Sequence, residues 1–282
     1  MLECRPLNAP LRPSDVADLV RRALREDGAF RDVTSPIVGR ARARGRFVAR
    51  QDLVLCGIPA AAEVFWQMGA AFSSRARDGD RVRKGAAFAA VSGPARRVLA
   101  GERTALNLLQ RLSGVATLTR RFVDLARPVR VYDTRKTTPG LRALEKYAVR
   151  CGGGHNHRAG LSDGVMIKDN HVAAIGDLET LRERVFELAE RGLPVVIEAQ
   201  TLAQAVFFAT LPVDVLMLDN FVPAALARAV RSVRSIHPRL AIEASGGVTL
   251  ETVRAVCRTG VDRVSVGALT HSAPAVDISL DL

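Results

Sequence analysis

The chain has 282 residues, enough for a barrel-sized domain and a smaller companion around a substantial buried core. Hydrophobic residues make up 48% and charged residues 25%, a balance that excludes an intrinsically disordered chain. Forty-one Lys and Arg against 29 Asp and Glu leave a formal charge of +12, which favours anionic partners; with 5% aromatics and no RNA- or DNA-binding motif, stacking platforms for nucleic acid are scarce.

Ser14 is expected to cap a helix running to about Asp27, because Val16, Leu19, Val20, Ala23 and Leu24 recur on one helical face. Strand-like runs follow at 45–50 and 53–56, then a helix over 59–68 with Pro59 in its first turn. Asp78-Gly79-Asp80 reads as a tight turn between strands. From about Arg96 to Ala126 the pattern is helical, with Val98, Leu99, Leu106, Leu109 and Leu112 on an apolar stripe and Ser113-Gly114 interrupting it. The change of domain is placed there, with residues 1–112 as an N-terminal domain and 113–272 as a second one. Trp66, Tyr132 and Tyr147 read as packing residues.

Downstream, apolar runs end at Asp133, Lys168, Glu198, Asp219, Ser245 and Gly267. Each is followed by a turn and then a helical or loop segment, at intervals of about 20 to 35 residues, the size of a βα unit. Repeated βα units predict a parallel sheet with helices outside, and polar residues at the strand ends then share one C-terminal rim. Six units fall short of the eight of a complete barrel, so an incomplete α/β barrel is expected, with an open doubly wound sheet as the alternative. No G-x-G-x-x-G or Walker A sequence is present, and Gly152-Gly153-Gly154 reads as a plain connector.

The chemistry concentrates between residues 133 and 171, in DTRKTTPGLR, CGGGHNHR and MIKDNH. Arg135 and Lys136 directly follow a strand; an Arg fork suits a carboxylate or phosphate, and Lys supplies a point charge. With Arg158 and Lys168 they would form a cationic bowl, which needs a polyanionic ligand. Glu198 and Asp219, at neighbouring strand ends, suit acid–base work, ribose hydroxyls or a hydrated Mg²⁺. Ser245-Gly246-Gly247 and Gly267-Ala268-Leu269 stand where α/β barrels take a phosphate on backbone N–H groups. His157 and His171 lack a third nitrogen or sulfur ligand at zinc spacing, so an orienting role is expected. Cys4, Cys56, Cys151 and Cys257 are far apart in sequence and suggest neither a zinc site nor a disulfide framework. The absence of an apolar leader or of any run near the roughly 18 apolar residues of a membrane span predicts a cytoplasmic protein.

DTRKTTPGLR, GGGHNHRAGL, IKDNH, MLDNF, EASGGV and VGALTHS, in this order, resemble the quinolinate phosphoribosyltransferase family, and the resemblance runs from EDGAFRDVTS at 26–35 to the final DISL. It implies an N-terminal α/β sandwich domain, an incomplete α/β barrel, a C-terminal segment (273–282) returning to the N-terminal domain, and a homodimer, or a higher oligomer of dimers, with shared active sites. It implies conversion of quinolinate and phosphoribosyl pyrophosphate to nicotinate mononucleotide, pyrophosphate and CO₂ with Mg²⁺, in NAD biosynthesis. Arg135, Arg158, His157 and Lys168 would hold quinolinate, with Arg103 reaching in from the partner subunit. Lys136 would bind the pyrophosphate, Glu198 and Asp219 the ribose hydroxyls or Mg²⁺, and Ser245, Gly246 and Gly267 the 5′-phosphate, with His271 close by. The chain departs from the family at Gln200, where many members carry a second acidic residue, and at Arg31-Asp32, where they carry Gly-Asp. A branch associated with molybdenum transport shares the fold but lacks the IKDNH element, so Lys168 to His171 argue against it. The rival from another class is a non-catalytic basic module that binds nucleic acid.

Overall fold

The structure is a computed structural model and describes residues 11–282. Cys4 lies outside the described residues. The elements run α1 (Pro13–Glu26), β1 (Arg42–Ala49), β2 (Leu53–Val54), α2 (Ile58–Gln67), β3 (Ala71–Ser74), β4 (Arg81–Val82), β5 (Ala87–Pro94) and α3 (Ala95–Ala126). Then come β6 (Arg130–Tyr132), α4 (Arg142–Cys151), β7 (Val165–Ile167), α5 (Asp169–Ile175), α6 (Leu178–Ala189), β8 (Val195–Ala199), α7 (Leu202–Phe208) and β9 (Val215–Asp219). The chain ends with α8 (Pro223–Ile236), β10 (Ala241–Ser245), α9 (Val253–Cys257), β11 (Arg263–Ser265), α10 (Ala268–His271) and β12 (Ile278–Asp281). Among the described residues, no helix is long and apolar enough to cross a membrane.

The described residues fall into two compact units, one of residues 11–120, 136–153 and 269–282, the other of 121–135 and 154–268. In the first, an antiparallel sheet is ordered β12-β1-β5-β3. The end of the chain thus supplies an edge strand, with Phe47 of β1 registered on Leu280. Phe47 is fully buried, 5.9 Å from the Phe65 ring of α2 and 5.7 Å from that of Phe72 on β3, and these edge-on contacts tie helix to sheet. Along α2, Ala60, Ala61, Val64 and Phe65 face inward, whereas Trp66 falls off that stripe and is 74% exposed. Trp66 is therefore a surface residue rather than the packing residue expected. Helix α1 starts at Pro13, one residue before the expected cap: Arg12 precedes it, pairs with Asp15 at 2.8 Å, and leaves Ser14 inside the first turn.

The expected break at Ser113-Gly114 is absent, because α3 runs unbroken for 32 residues. The Ser113 hydroxyl donates to the Cys56 carbonyl at 3.0 Å and accepts from the Cys56 N–H at 2.9 Å. A Cβ at Gly114 would collide with the Pro274 carbonyl, so this pair is a notch that lets other backbone approach the helix. The helix's own hydrogen bonds outweigh the modest cost of one internal glycine.

In the second unit all six strands are parallel, ordered β6-β11-β10-β9-β8-β7. From β7 to β11 each strand lies beside its successor, and β6 then joins β11. A doubly wound sheet would reverse direction midway. This sequential order is that of a barrel left open between β6 and β7. Along the edge of β6 away from β11, Tyr132 forms an isolated bridge with His155, and His155 N–H donates to the Val131 carbonyl at 2.8 Å.

Candidate active site

Parallel registration keeps paired residues on the same face, and side chains alternate along each strand. Val196 registers with both Met166 and Val215, and Ala241 with Val215; Val196, Val215, Met217, Met166 and Ala241 form one apolar cluster. Two residues further along on the same face lie Lys168, Glu198, Glu243 and Arg263, and beyond them Asp219 registers with Ser245. The inner face thus passes from an apolar floor to a charged layer and then to a polar rim.

At the rim Lys168 Nζ lies 2.7 Å from Glu198 Oε2, so two residues from separate motifs meet as an ion pair. Lys168 caps α5, and its backbone N–H donates to His171 Nδ1 at 3.0 Å, so the imidazole closes the first turn of that helix. Glu198 is buried; Asp219 is partly exposed, and its Oδ2 accepts from Asn220 Nδ2 at 2.6 Å. Asn220 takes positive φ (60°), and its N–H donates to the Ser245 carbonyl at 2.9 Å. Gly246 also has positive φ (84°), and a Cβ there would run into the Asn220 side chain. The ends of β9 and β10 are thereby locked together, with Ser245, Gly246 and Gly267 all partly exposed.

The cations are fixed from beneath. Asp133 is fully buried and accepts from Asn156 Nδ2 at 2.6 Å and from the His157 N–H at 2.7 Å, so it shapes the segment that carries His157 and Arg158. His157 Nε2 faces Glu243 Oε2 at 3.7 Å, and Arg263 Nε approaches the same oxygen at 2.7 Å, off the hydrogen-bond axis, so the contact is held by charge. Arg263 also lies over the Tyr132 ring at 5.0 Å, and Tyr132 stacks on His155, so Tyr132 packs as expected and supports charged groups as well. Burial pushes the Glu243 carboxyl up, but the facing His157, then Arg263 and the Ser265 hydroxyl, outweigh it and hold it at about 2. Burial, followed by the charge of Arg135, lowers Arg158 from its ordinary value. Arg158 donates to the Gly164 carbonyl at 3.1 Å, while its Nε is buried with no hydrogen-bond partner among the described residues. Two guanidinium groups that repel, one with a spare buried donor, suit a bound anion.

In the first unit, Lys136 is exposed, its carbonyl accepts from Thr270 Oγ1 at 2.8 Å, and it opens a loop tied to α4. Glu145, fully buried on α4, accepts from the Thr138 N–H at 2.9 Å, from Thr138 Oγ1 at 2.8 Å and from Arg111 at 2.7 Å. Arg111 also donates to the carbonyls of Thr270 and Ala273. Arg103 is exposed on α3 and His271 is exposed at the end of α10. Gly152 packs tightly on α3, where a Cβ would lie 2.6 Å from Thr119 Cβ, as suits a connector.

Residue-by-residue reading missed Asp133, Asn156, Glu243 and Arg263 of the barrel, and Arg111 and Glu145 of the other unit. Glu243 carried a usable signal: in AIEAS it stands two residues before Ser245, hence on the same strand face.

Comparison with known proteins bears on what such a rim does. Residues 115–281 match the quinolinate phosphoribosyl transferase C-terminal domain, and residues 32–113 match the N-terminal domain of the same family. A probable carboxylating nicotinate-nucleotide pyrophosphorylase of Bacillus subtilis is 42% identical over 263 residues, which cover 91% of this chain and 90% of that one. A decarboxylating quinolinate phosphoribosyltransferase of Nicotiana glauca is 38% identical over 100% of this chain and 86% of its own. Among solved structures, the nicotinate-nucleotide pyrophosphorylase from Francisella tularensis superposes with a TM-score of 0.90 at 35% identity, covering 96% of both chains.

Proposed function

The chain belongs to the quinolinate phosphoribosyltransferase family, and from that premise we propose how its own side chains carry the reaction. The activity is that of the family: quinolinate and phosphoribosyl pyrophosphate give nicotinate mononucleotide, pyrophosphate and CO₂, in NAD biosynthesis. In our reading the two carboxylates of quinolinate are held by Arg135, Arg158, His157 and Lys168. The observation that carries this assignment is the crowding of Arg135 on Arg158, with the buried Arg158 Nε left for an acceptor. The dicarboxylate supplies the missing negative charge and the missing acceptor together.

Phosphoribosyl pyrophosphate is assigned to the other polar groups. Ser245, Gly246 and Gly267 take the 5′-phosphate through hydroxyl and backbone N–H groups, with His271 beside it. Glu198 and Asp219 take the ribose hydroxyls, and Lys136 the pyrophosphate. The same two carboxylates fit a hydrated Mg²⁺, which takes one or two carboxylates and completes its shell with substrate oxygens and water. Bound there, Mg²⁺ would offset negative charge on the departing pyrophosphate.

The chemistry then needs no protein nucleophile. The arginine clamp aims the pyridine nitrogen at the anomeric carbon, a positioning effect. As the bond from that carbon to pyrophosphate breaks, its electron pair leaves with the pyrophosphate, and Lys136 stabilises the charge. The new carbon–nitrogen bond makes the ring nitrogen cationic; its charge stabilises the electron pair left on the adjacent ring carbon as that carbon's carboxylate leaves as CO₂, and a proton from water then takes the vacated position. We further infer a homodimer in which Arg103 of one protomer serves the site of its partner, and a cytoplasmic location. The test is direct: purified chain, quinolinate, phosphoribosyl pyrophosphate and Mg²⁺ should yield nicotinate mononucleotide. Turnover unchanged after Arg158→Ala would refute the clamp.

A further inference from the structure

Within the first unit, three donors far apart in sequence converge. Cys56 lies between β2 and α2, Asp78 in the turn between β3 and β4, and Cys151 at the end of α4. One ligand atom from each, two sulfurs and a carboxylate oxygen, lie within 4.8 Å of one another. The linear spacing of the cysteines suggested no zinc site; the fold creates the grouping that the spacing lacks. Both thiols are free.

The donors sit on pinned backbone. Cys56 is bound on both its N–H and its carbonyl by Ser113. The Asp78 turn is tied to the Cys56 segment, because Gly79 N–H donates to the Leu55 carbonyl at 2.8 Å and Leu55 N–H to the Asp80 carbonyl at 2.9 Å. Asp78 Oδ1 accepts from the Ile58 N–H at 3.0 Å, and its Oδ2 from the Tyr147 hydroxyl at 2.9 Å. Tyr147 stands one helical turn before Cys151, so α4 presents both on one face. A carboxylate offers about four lone-pair sites, so these bonds orient Asp78 and leave it able to ligate.

We propose that Cys56, Cys151 and Asp78 form a binding site for a thiophilic divalent cation of the zinc class. Two thiolates and a carboxylate neutralise and slightly overbalance the dication, and a water completes four-coordination. For metal–sulfur bonds of about 2.3 Å, tetrahedral geometry sets the sulfurs about 3.8 Å apart, within the range of this cluster. Tyr147 is the outer-shell donor that orients the carboxylate. A cavity of about 390 Å³, lined in part by Pro59, Glu63, Tyr147 and Arg150, adjoins the Tyr147 side chain. Softness separates this site from the oxygen-only carboxylates proposed for Mg²⁺. Its occupation would clamp the loop before α2, the Asp78 turn and the end of α4 together, and each ion bound would displace two thiol protons.

The test uses the full-length, reduced and chelator-treated chain titrated with Co²⁺ as a spectroscopic stand-in for Zn²⁺. One equivalent should produce a thiolate-to-cobalt charge-transfer band, which Zn²⁺ abolishes by displacement. Cys151→Ser should remove the band, Cys257→Ser should leave it, and Tyr147→Phe should weaken affinity about 10-fold or more. Because Cys151→Ser could disturb folding, alkylation of the wild type gives a second readout: Zn²⁺ should protect the partly exposed Cys151 but not Cys257. No charge-transfer band in the reduced wild type, a band that survives in folded Cys151→Ser, or equal alkylation with and without Zn²⁺ would each overturn the proposal.

Discussion

Replacing Glu243 by Gln keeps the shape of a fully buried side chain and removes its charge, leaving Arg263, only 5% exposed, without its counter-charge at 2.7 Å. The Glu243 carboxyl falls from 4.5 to about 2 on folding, which corresponds to about 3 kcal/mol. The cost of breaking a buried ion pair from one side is about 3–5 kcal/mol, in agreement. At about 2–4 °C per kcal/mol, the variant should melt roughly 6–12 °C below the parent at neutral pH. The sign of the pH dependence follows from the depressed value: the carboxylate contributes fully above about 4.5, and its contribution is lost as pH falls toward 2. Calorimetry across this range should therefore show the gap between parent and variant closing as both are acidified. Two results would refute the reasoning: a Gln variant that melts with the parent at neutral pH, or a gap that is equally wide at pH values near the carboxyl's own.

Other perturbations separate chemistry from folding. Lys136→Ala should lower turnover about 100-fold or more while melting normally, since the side chain is exposed; a folded variant with parental turnover would remove Lys136 from the pyrophosphate site. An inactive Arg103→Ala chain mixed with an inactive Lys168→Ala chain should regain some turnover, and its continued absence after verified subunit exchange would dismiss shared sites. Phe47→Ala, at the fully buried centre of the ring cluster, should cost about 3–5 kcal/mol in denaturant titration without changing the rim, and a cost below 1 kcal/mol would mean that the aromatic cluster does not tie sheet to helix.

The barrel strands were legible because each is a short apolar run that stops at a polar residue, and the period of the runs is that of a βα unit. The placing of polar residues at strand ends was legible for the same reason, as with Lys168 and Asp219. What escaped were residues whose importance depends on burial. In sequence Asp133 simply ends an apolar run, yet in the fold it is fully buried and fixes the His157 backbone. Ser113-Gly114 reads as a helix break because local propensity cannot register the Pro274 carbonyl that requires a glycine there. Trp66 shows the converse: a large aromatic is expected inside on composition, but its helical phase points it outward.

Glu198 and Glu243 make the limit concrete. In sequence they are near twins, VVIEA and AIEAS, each one or two residues from the end of a strand. In the fold, Glu198 pairs with a lysine side chain that is 45% exposed, whereas Glu243 pairs with an arginine that is 5% exposed. Water reaches the lysine end of the Glu198 pair, but Glu198 itself is only 6% exposed, so in the proposed reaction Lys168 turns to an incoming carboxylate only as Glu198 gains another partner. Dismantling the Glu243 pair leaves a buried charge with no solvent to receive it. The same residue type at one level of the sheet, on the two strands that flank Met217 of β9, thus pairs once with a lysine that water reaches and once with a buried arginine. The difference lies in the water that reaches the partner, which no single-strand pattern encodes.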